Sequence, residues 1–152
     1  MTILKTNSTA TTGASSREVF PLMEGKSPAL RVLVVDDEAL IRWSIVETLT
    51  DLGCSVVEAG DGEGALRTLT APSKPVDVIV LDYRLPDSDN LTLLSTIRRV
   101  APASQVIMMT AYGTPDVVKG ALDLGAHRVM SKPFEMREMA SAVQQASAAR
   151  LL

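Results

Sequence analysis

Hydrophobic and polar positions are organised in blocks along this chain. Short apolar runs, among them Val32 to Val35, Val78 to Leu81 and Val106 to Met109, are separated by stretches in which apolar residues recur every three or four positions. A short aliphatic run bounded by polar residues reads as a strand buried on both faces, whereas recurrence at three and four reads as a helix with one buried face. From Leu30 onward the two signals alternate five times. They predict strands near 31–35, 54–58, 77–81, 105–109 and 127–131, each followed by a helix. Such alternation builds a parallel sheet covered by helices on both faces, so the expected fold class is α/β and doubly wound.

Helix boundaries carry their own signals. The first helix, about 38–52, places Ile41, Ile45, Leu49 and Leu52 on one stripe and stops at Gly53. The second, about 62–70, buries Ala65, Leu66 and Leu69 and ends before Pro72. The third, about 90–100, carries Leu93, Leu94 and Ile97 and ends before Pro102. Thr114 as N-cap, Pro115 at the first helical position and Asp116 against the dipole open the fourth, which closes at Gly125. The fifth, about 135–148, buries Met139, Val143 and Ala146. Residues 1–28 differ: the run Ser8 to Ser16 holds no large apolar residue, so these residues read as a disordered leader and residues 29–152 as one domain.

Composition narrows the function classes. Of 152 residues, 46% are hydrophobic but only 3% aromatic, which makes the core aliphatic. A net charge of −3 offers no electrostatic footprint for direct nucleic-acid binding. No apolar stretch approaches the roughly 20 residues needed to cross a bilayer. The single cysteine, Cys54, reads as a small buried hydrophobe at the start of a strand, and a cytoplasmic location fits. His127, the one histidine, lacks a second His or Cys with which to form a metal site. No glycine pattern has the register of a dinucleotide or P-loop motif.

The chemistry lies where the apolar runs end. Asp36 and Asp37 close the first, Asp82 the third, Thr110 the fourth, and Lys132 follows the fifth. Ligands of open α/β sheets bind outside the carboxyl ends of the strands. If the first and third strands are neighbours, about 4.8 Å apart, the three carboxylates meet at one rim and repel one another. Mg²⁺, which needs only one or two carboxylates and keeps several waters, relieves that repulsion. Beside it an Asp can serve as nucleophile in phosphoryl transfer, with Lys132 and Thr110 as partners for phosphoryl oxygens. Taken singly, an Asp at a strand end is more often a turn former or helix cap than a catalyst, and Asp37 could cap the first helix as well as face the metal.

Four separated motifs, Val-Val-Asp36-Asp37-Glu38, Leu81-Asp82-Tyr83-Arg84-Leu85-Pro86, Met109-Thr110-Ala111 and Ser131-Lys132-Pro133-Phe134, together resemble the receiver domain of two-component response regulators over about residues 29 to 149. The resemblance implies a flavodoxin-like, CheY-like (βα)₅ sheet of order 2-1-3-4-5. It implies Asp82 as phosphoacceptor, Asp36, Asp37, Asp82 and the backbone carbonyl of Arg84 as Mg²⁺ ligands, and Thr110 and Lys132 as switch hydroxyl and phosphate-binding lysine. Ile41-Arg42-Trp43 and Thr110-Ala111-Tyr112-Gly113 look most like receivers of NtrC-type activators, and the chain resembles a stand-alone receiver. Two positions depart from the pattern: Val129 stands where an aromatic is usual and Asn90 where glycine is usual. The implied partners are a sensor histidine kinase or phosphotransfer protein and a downstream protein target, met without direct nucleic-acid or membrane contact. By helical spacing Trp43 sits opposite the buried stripe beside Leu40, and the two are expected to dock the phosphodonor.

Two rival functions remain at this point. A Mg²⁺-dependent phosphatase of the haloacid-dehalogenase type also uses an Asp nucleophile on a parallel sheet, but spaces its two acids two apart, whereas Asp36 and Asp37 are adjacent. A degenerate receiver acting only as an interaction module requires a missing site residue.

Overall fold

The computed structural model describes residues 28–150. The expected leader over 1–28 therefore lies, except for Pro28, outside the described residues. Ten elements alternate in order: β1 (Arg31–Val35), α1 (Ala39–Asp51), β2 (Ser55–Ala59), α2 (Gly62–Thr70), β3 (Val78–Asp82), α3 (Thr92–Val100), β4 (Gln105–Thr110), α4 (Pro115–Asp123), β5 (Arg128–Ser131) and α5 (Met136–Arg150). The strands form one parallel sheet in the order β2-β1-β3-β4-β5. This is the doubly wound arrangement that the alternating blocks predict.

Successive side chains of a strand point to opposite faces, and the sheet uses both. Val32 and Val34 of β1 join Val78 and Val80 of β3 in a cluster with Ile45 and Leu49 of α1 and Met139, Val143 and Ala146 of α5. Leu33, Val35, Ile79 and Leu81 face the other way, against Ala65 of α2, Leu93, Leu94 and Ile97 of α3, and Ala121 of α4. Both faces being apolar explains why the central strands read as continuous hydrophobic runs. Met108, Met109 and Met139 are fully buried, filling gaps in a core with few aromatic rings.

The helix ends follow local chemistry. Asp61 caps α2 by accepting from the Gly64 N–H at 2.7 Å, and Thr114 caps α4 by accepting from Val117 at 3.3 Å. After α1 and α4, Gly53 and Gly125 adopt φ of +92° and +102°, a left-handed turn that glycine makes without strain.

Several sequence expectations need correction. Leu52 is not part of the α1 stripe: the helix stops at Asp51, Leu52 is its C-cap, and its side chain is 52% exposed. Asp37 does not cap α1. The cap position is Glu38, and the Asp36 carboxylate accepts its N–H at 2.9 Å. Cys54 and His127 precede β2 and β5 rather than opening them. Burial raises the pKa of the half-buried Cys54 thiol. Among the described residues no helix is long and apolar enough to cross a membrane.

The contrast between Leu49 on α1 and Leu52 just past its end is measurable. Leu49→Ala should cost about 3 kcal/mol of unfolding free energy, as expected for a cavity in a packed core. Leu52→Ala should change it by less than about 0.5 kcal/mol. Equal losses in urea denaturation would contradict the helix end placed here.

Candidate functional site at the carboxyl edge of the sheet

Strand register brings the site together. Val35 pairs with Leu81, so Asp36 and Asp82 are the next residues on two adjacent strands. Asp82 in turn pairs with Met109, one residue before Thr110, and Thr110 pairs with Ser131, one residue before Lys132. Residues separated by nearly a hundred positions thus reach one rim because four parallel strands end level.

Carboxylate oxygens of Asp36, Asp37 and Asp82 all lie within 4.8 Å of one another. Asp36 and Asp82 are buried and Asp37 is exposed. The Lys132 ammonium bridges the two buried acids, at 3.1 Å from Asp36 Oδ2 and 3.2 Å from Asp82 Oδ2, and reaches Glu38 Oε1 at 3.3 Å. Its backbone N–H donates to the Thr110 carbonyl at 2.8 Å, which anchors the lysine to the end of β4. The Lys132–Pro133 peptide bond is cis. One ammonium against three carboxylates leaves the cluster strongly negative even before Glu38 is counted.

That imbalance appears in the titration of the central acid. Burial, then the charge of Asp36, push the Asp82 carboxyl up to about 6, against the opposing pull of Lys132 and of the Arg84 backbone N–H. Burial draws the Lys132 ammonium down, but its hydrogen bond to Asp36 and the charges of Asp82 and Asp36 outweigh this and raise its pKa.

The remaining predicted residues surround a cleft of about 270 Å³ lined by Asp37, Asp82, Arg84, Thr110, Tyr112 and Lys132. Thr110 is buried, and its hydroxyl oxygen accepts the Tyr112 N–H at 3.0 Å. A hydroxyl that accepts with a lone pair keeps its own proton for donation. At the mouth, the Arg84 guanidinium lies 5.1 Å from the centroid of the Tyr112 ring, within cation–π range. Val129, in the place usually taken by an aromatic, packs half-buried against the cluster around Met108 and Ala121. Asn90 accepts the Thr92 N–H at 2.8 Å in the turn before α3. Trp43 and Leu40 are 58% and 74% exposed on α1, away from the cleft lining.

Two groups at this rim escape sequence reasoning. Glu38, a third carboxylate partner of Lys132 beside Asp36 and Asp82, stands next to the acidic pair, and its adjacency was the available signal. Arg42 donates from Nη1 to the Asp36 carbonyl at 2.6 Å, a contact from the first turn of α1 back to the segment after β1 that no motif spacing announces.

The chemistry of this donor set fits a hard divalent cation: clustered carboxylates with excess negative charge, one of them exposed, and an open cleft that leaves room for water.

Comparison with known proteins agrees with this geometry. Residues 32–144 match the response regulator receiver domain family. The transcriptional regulatory protein PdtaR of Mycobacterium tuberculosis is 37% identical over 119 residues, covering 76% of this chain and 56% of that protein. The DNA-binding transcriptional regulator NtrC of Klebsiella pneumoniae is 36% identical over 113 residues, covering 74% of this chain and 24% of its own length. The chain thus spans about half the length of the first and a quarter of the second. In fold, it is similar to the CheY-like receiver domain protein from Methanospirillum hungatei, with a TM-score of 0.76, 24% identity, and coverage of 81% of this chain and 97% of that one. On the family match and these identities, the chain belongs to the response regulator receiver domain family of two-component systems.

Proposed function

We propose that this domain accepts a phosphoryl group on Asp82 from a histidine kinase or phosphotransfer protein and signals through protein contacts. The observation that carries this reading is the placement of Asp82: a buried carboxylate at the floor of an open cleft, bridged by Lys132 to Asp36 and flanked by a buried hydroxyl. In the transfer, a carboxylate oxygen of Asp82 forms a bond to phosphorus while the bond from phosphorus to the donor imidazole nitrogen breaks; that nitrogen keeps the electron pair, and the proton on the other ring nitrogen leaves the departing imidazole neutral. Lys132 leaves its ion pair with Asp82 and holds a phosphoryl oxygen, and the Thr110 hydroxyl donates to another.

Asp36, Asp37, Asp82 and the Arg84 carbonyl are the groups that would hold Mg²⁺. The ion supplies neutralisation of the acid cluster and of charge on the phosphoryl oxygens. The domain assists its own phosphorylation and dephosphorylation without turning over a substrate as a phosphatase would. The exposed Trp43 and Leu40, on the helix that begins beside the metal-binding acids, are the proposed anchor for the donor. A cytoplasmic location suits that donor, and a net charge of −3 gives no attraction to nucleic acid.

Incubation with acetyl phosphate and Mg²⁺, followed by intact mass, tests the reading. One hydroxylamine-sensitive phosphate per chain is expected, and none on Asp82→Asn. Unlimited turnover would favour a phosphatase, and no adduct a degenerate module. The same substitution has a consequence for stability. Because the native Asp82 carboxyl titrates near 6 and an unfolded one near 4, the native state holds the extra proton between these values, and wild-type stability falls as pH rises through that window. In metal-free buffer at pH 7.5, Asp82→Asn should therefore be more stable than wild type, on the order of 1–2 kcal/mol after solvent screening at the open cleft. The gain should shrink as pH falls toward 4. A gain that grows on acidification would show the opposite sign of shift.

Arg84 and Tyr112, stacked at the mouth, offer no carboxylate or carboxamide to orient an attacking water. Self-dephosphorylation should be slow, and a half-life of seconds in purified protein would contradict this. For the docking surface, Trp43→Ala should slow transfer from the cognate kinase at least tenfold, about 1.4 kcal/mol, while phosphorylation by acetyl phosphate stays unchanged. Equal loss with both donors would indicate damage to the fold instead.

A further inference from the structure

We propose that Arg42 is a positioning residue for the metal-binding acids, acting as a clamp on the peptide that joins Asp36 to Asp37. The inference rests on the magnesium reading of the acid cluster and goes on to say what aims it.

The peptide between Asp36 and Asp37 lies just past the end of β1 and outside the regular ladder. Its neighbourhood is held nonetheless. The Asp36 N–H donates to the Ala59 carbonyl at 3.1 Å, tying the loop to the end of β2. The Asp36 carbonyl accepts from Arg42 Nη1 at 2.6 Å. The guanidinium is oriented in turn by Glu58 of β2, whose Oε1 accepts from Nε at 3.0 Å. Arg42 is itself fixed on α1, its backbone N–H donating to the Glu38 carbonyl at 3.0 Å in the first helical turn.

Holding a carbonyl fixes the plane of its peptide. Here that plane sets ψ of Asp36 and φ of Asp37, and so the directions in which the two carboxylates leave the chain. Asp36 has independent support from Lys132 and the Glu38 N–H. Asp37 is exposed, and its aim depends on the peptide before it. The planar fork of arginine suits the task, because its donors point in fixed, different directions and can meet a carbonyl and a carboxylate at once.

The position of Arg42 makes this role separable from simple charge. A cation near a cluster of acids repels Mg²⁺, so if Arg42 acted only through its charge, removing it would tighten binding. If it acts as a clamp, removing it lets Asp37 wander and weakens binding. Loss of an outer partner that orients a metal ligand typically costs about 10- to 100-fold in affinity.

The test is a Mg²⁺ titration of the full chain in EDTA-stripped buffer with no phosphoryl donor, following the rise in thermal midpoint that selective binding to the folded state produces. Arg42→Met should raise the apparent dissociation constant about tenfold. Arg42→Lys keeps the charge and the stem but has no planar fork to reach both partners, and should raise it at least about threefold. The lysine variant decides the matter if the methionine variant does not fold. A lower metal-free midpoint with an unchanged dissociation constant in both variants would reduce Arg42 to a structural residue and overturn the clamp, as would tighter binding by Arg42→Met. Absence of any Mg²⁺-dependent shift in the wild type would instead overturn the metal site, and the clamp with it.

Discussion

Carboxylate crowding at the ends of β1 and β3 is the constraint on which the rest of this molecule turns. Three acids share one small volume, two of them buried, and a single ammonium stands between them. Water cannot fully screen charges placed this deep, so Asp82 holds its proton to an unusually high pH and Lys132 holds its charge more firmly. A polar arrangement of this kind contributes little to folding and costs stability at neutral pH. On the proposed reading, that cost is offset by function, the acids being the groups that would hold a divalent cation and the lysine and hydroxyl those that would hold a phosphoryl group.

The fold delivers that arrangement by simple means. Parallel strands all present their carboxyl ends on one side, and the register of β1, β3, β4 and β5 sets Asp36, Asp82, Thr110 and Lys132 at nearly the same height. Apolar cover on both faces of the sheet keeps those ends rigid, since strands packed between α1 and α5 on one face and α2, α3 and α4 on the other cannot slide without exposing core. The acids emerge from the least deformable part of the protein, and the loops after the strands provide the opening of the cleft.

Much of this was legible in the sequence because it depends on local pattern. Uninterrupted runs such as Val78 to Leu81 mark strands with two buried faces, and the polar residue that ends each run marks the rim. The Thr114 cap and the glycines after α1 and α4 announced helix ends within a residue or two, whereas the Asp61 cap of α2 came from the structure alone. What the sequence did not disclose depends on geometry across elements. Leu52 continues the periodicity of α1 but falls past its last turn, so helical spacing alone misplaced it. Asp37 has the chemistry of a helix cap, yet the Asp36 carboxylate, turned inward toward Lys132, takes the Glu38 N–H instead. Glu38 and Arg42 join the site through three-dimensional contacts that spacing rules do not encode, and Glu58, which orients Arg42, comes from a different strand.

Chemical trapping of the modified residue tests the central claim most directly. The chain phosphorylated with acetyl phosphate and Mg²⁺ can be reduced with borohydride, which converts an aspartyl phosphate to homoserine, and the position of the change located by peptide mass mapping. The result expected is a single conversion at position 82 that disappears when Mg²⁺ is omitted. Conversion at Asp36 or Asp37, or a stable phosphate on a hydroxyl residue with position 82 unaltered, would contradict it.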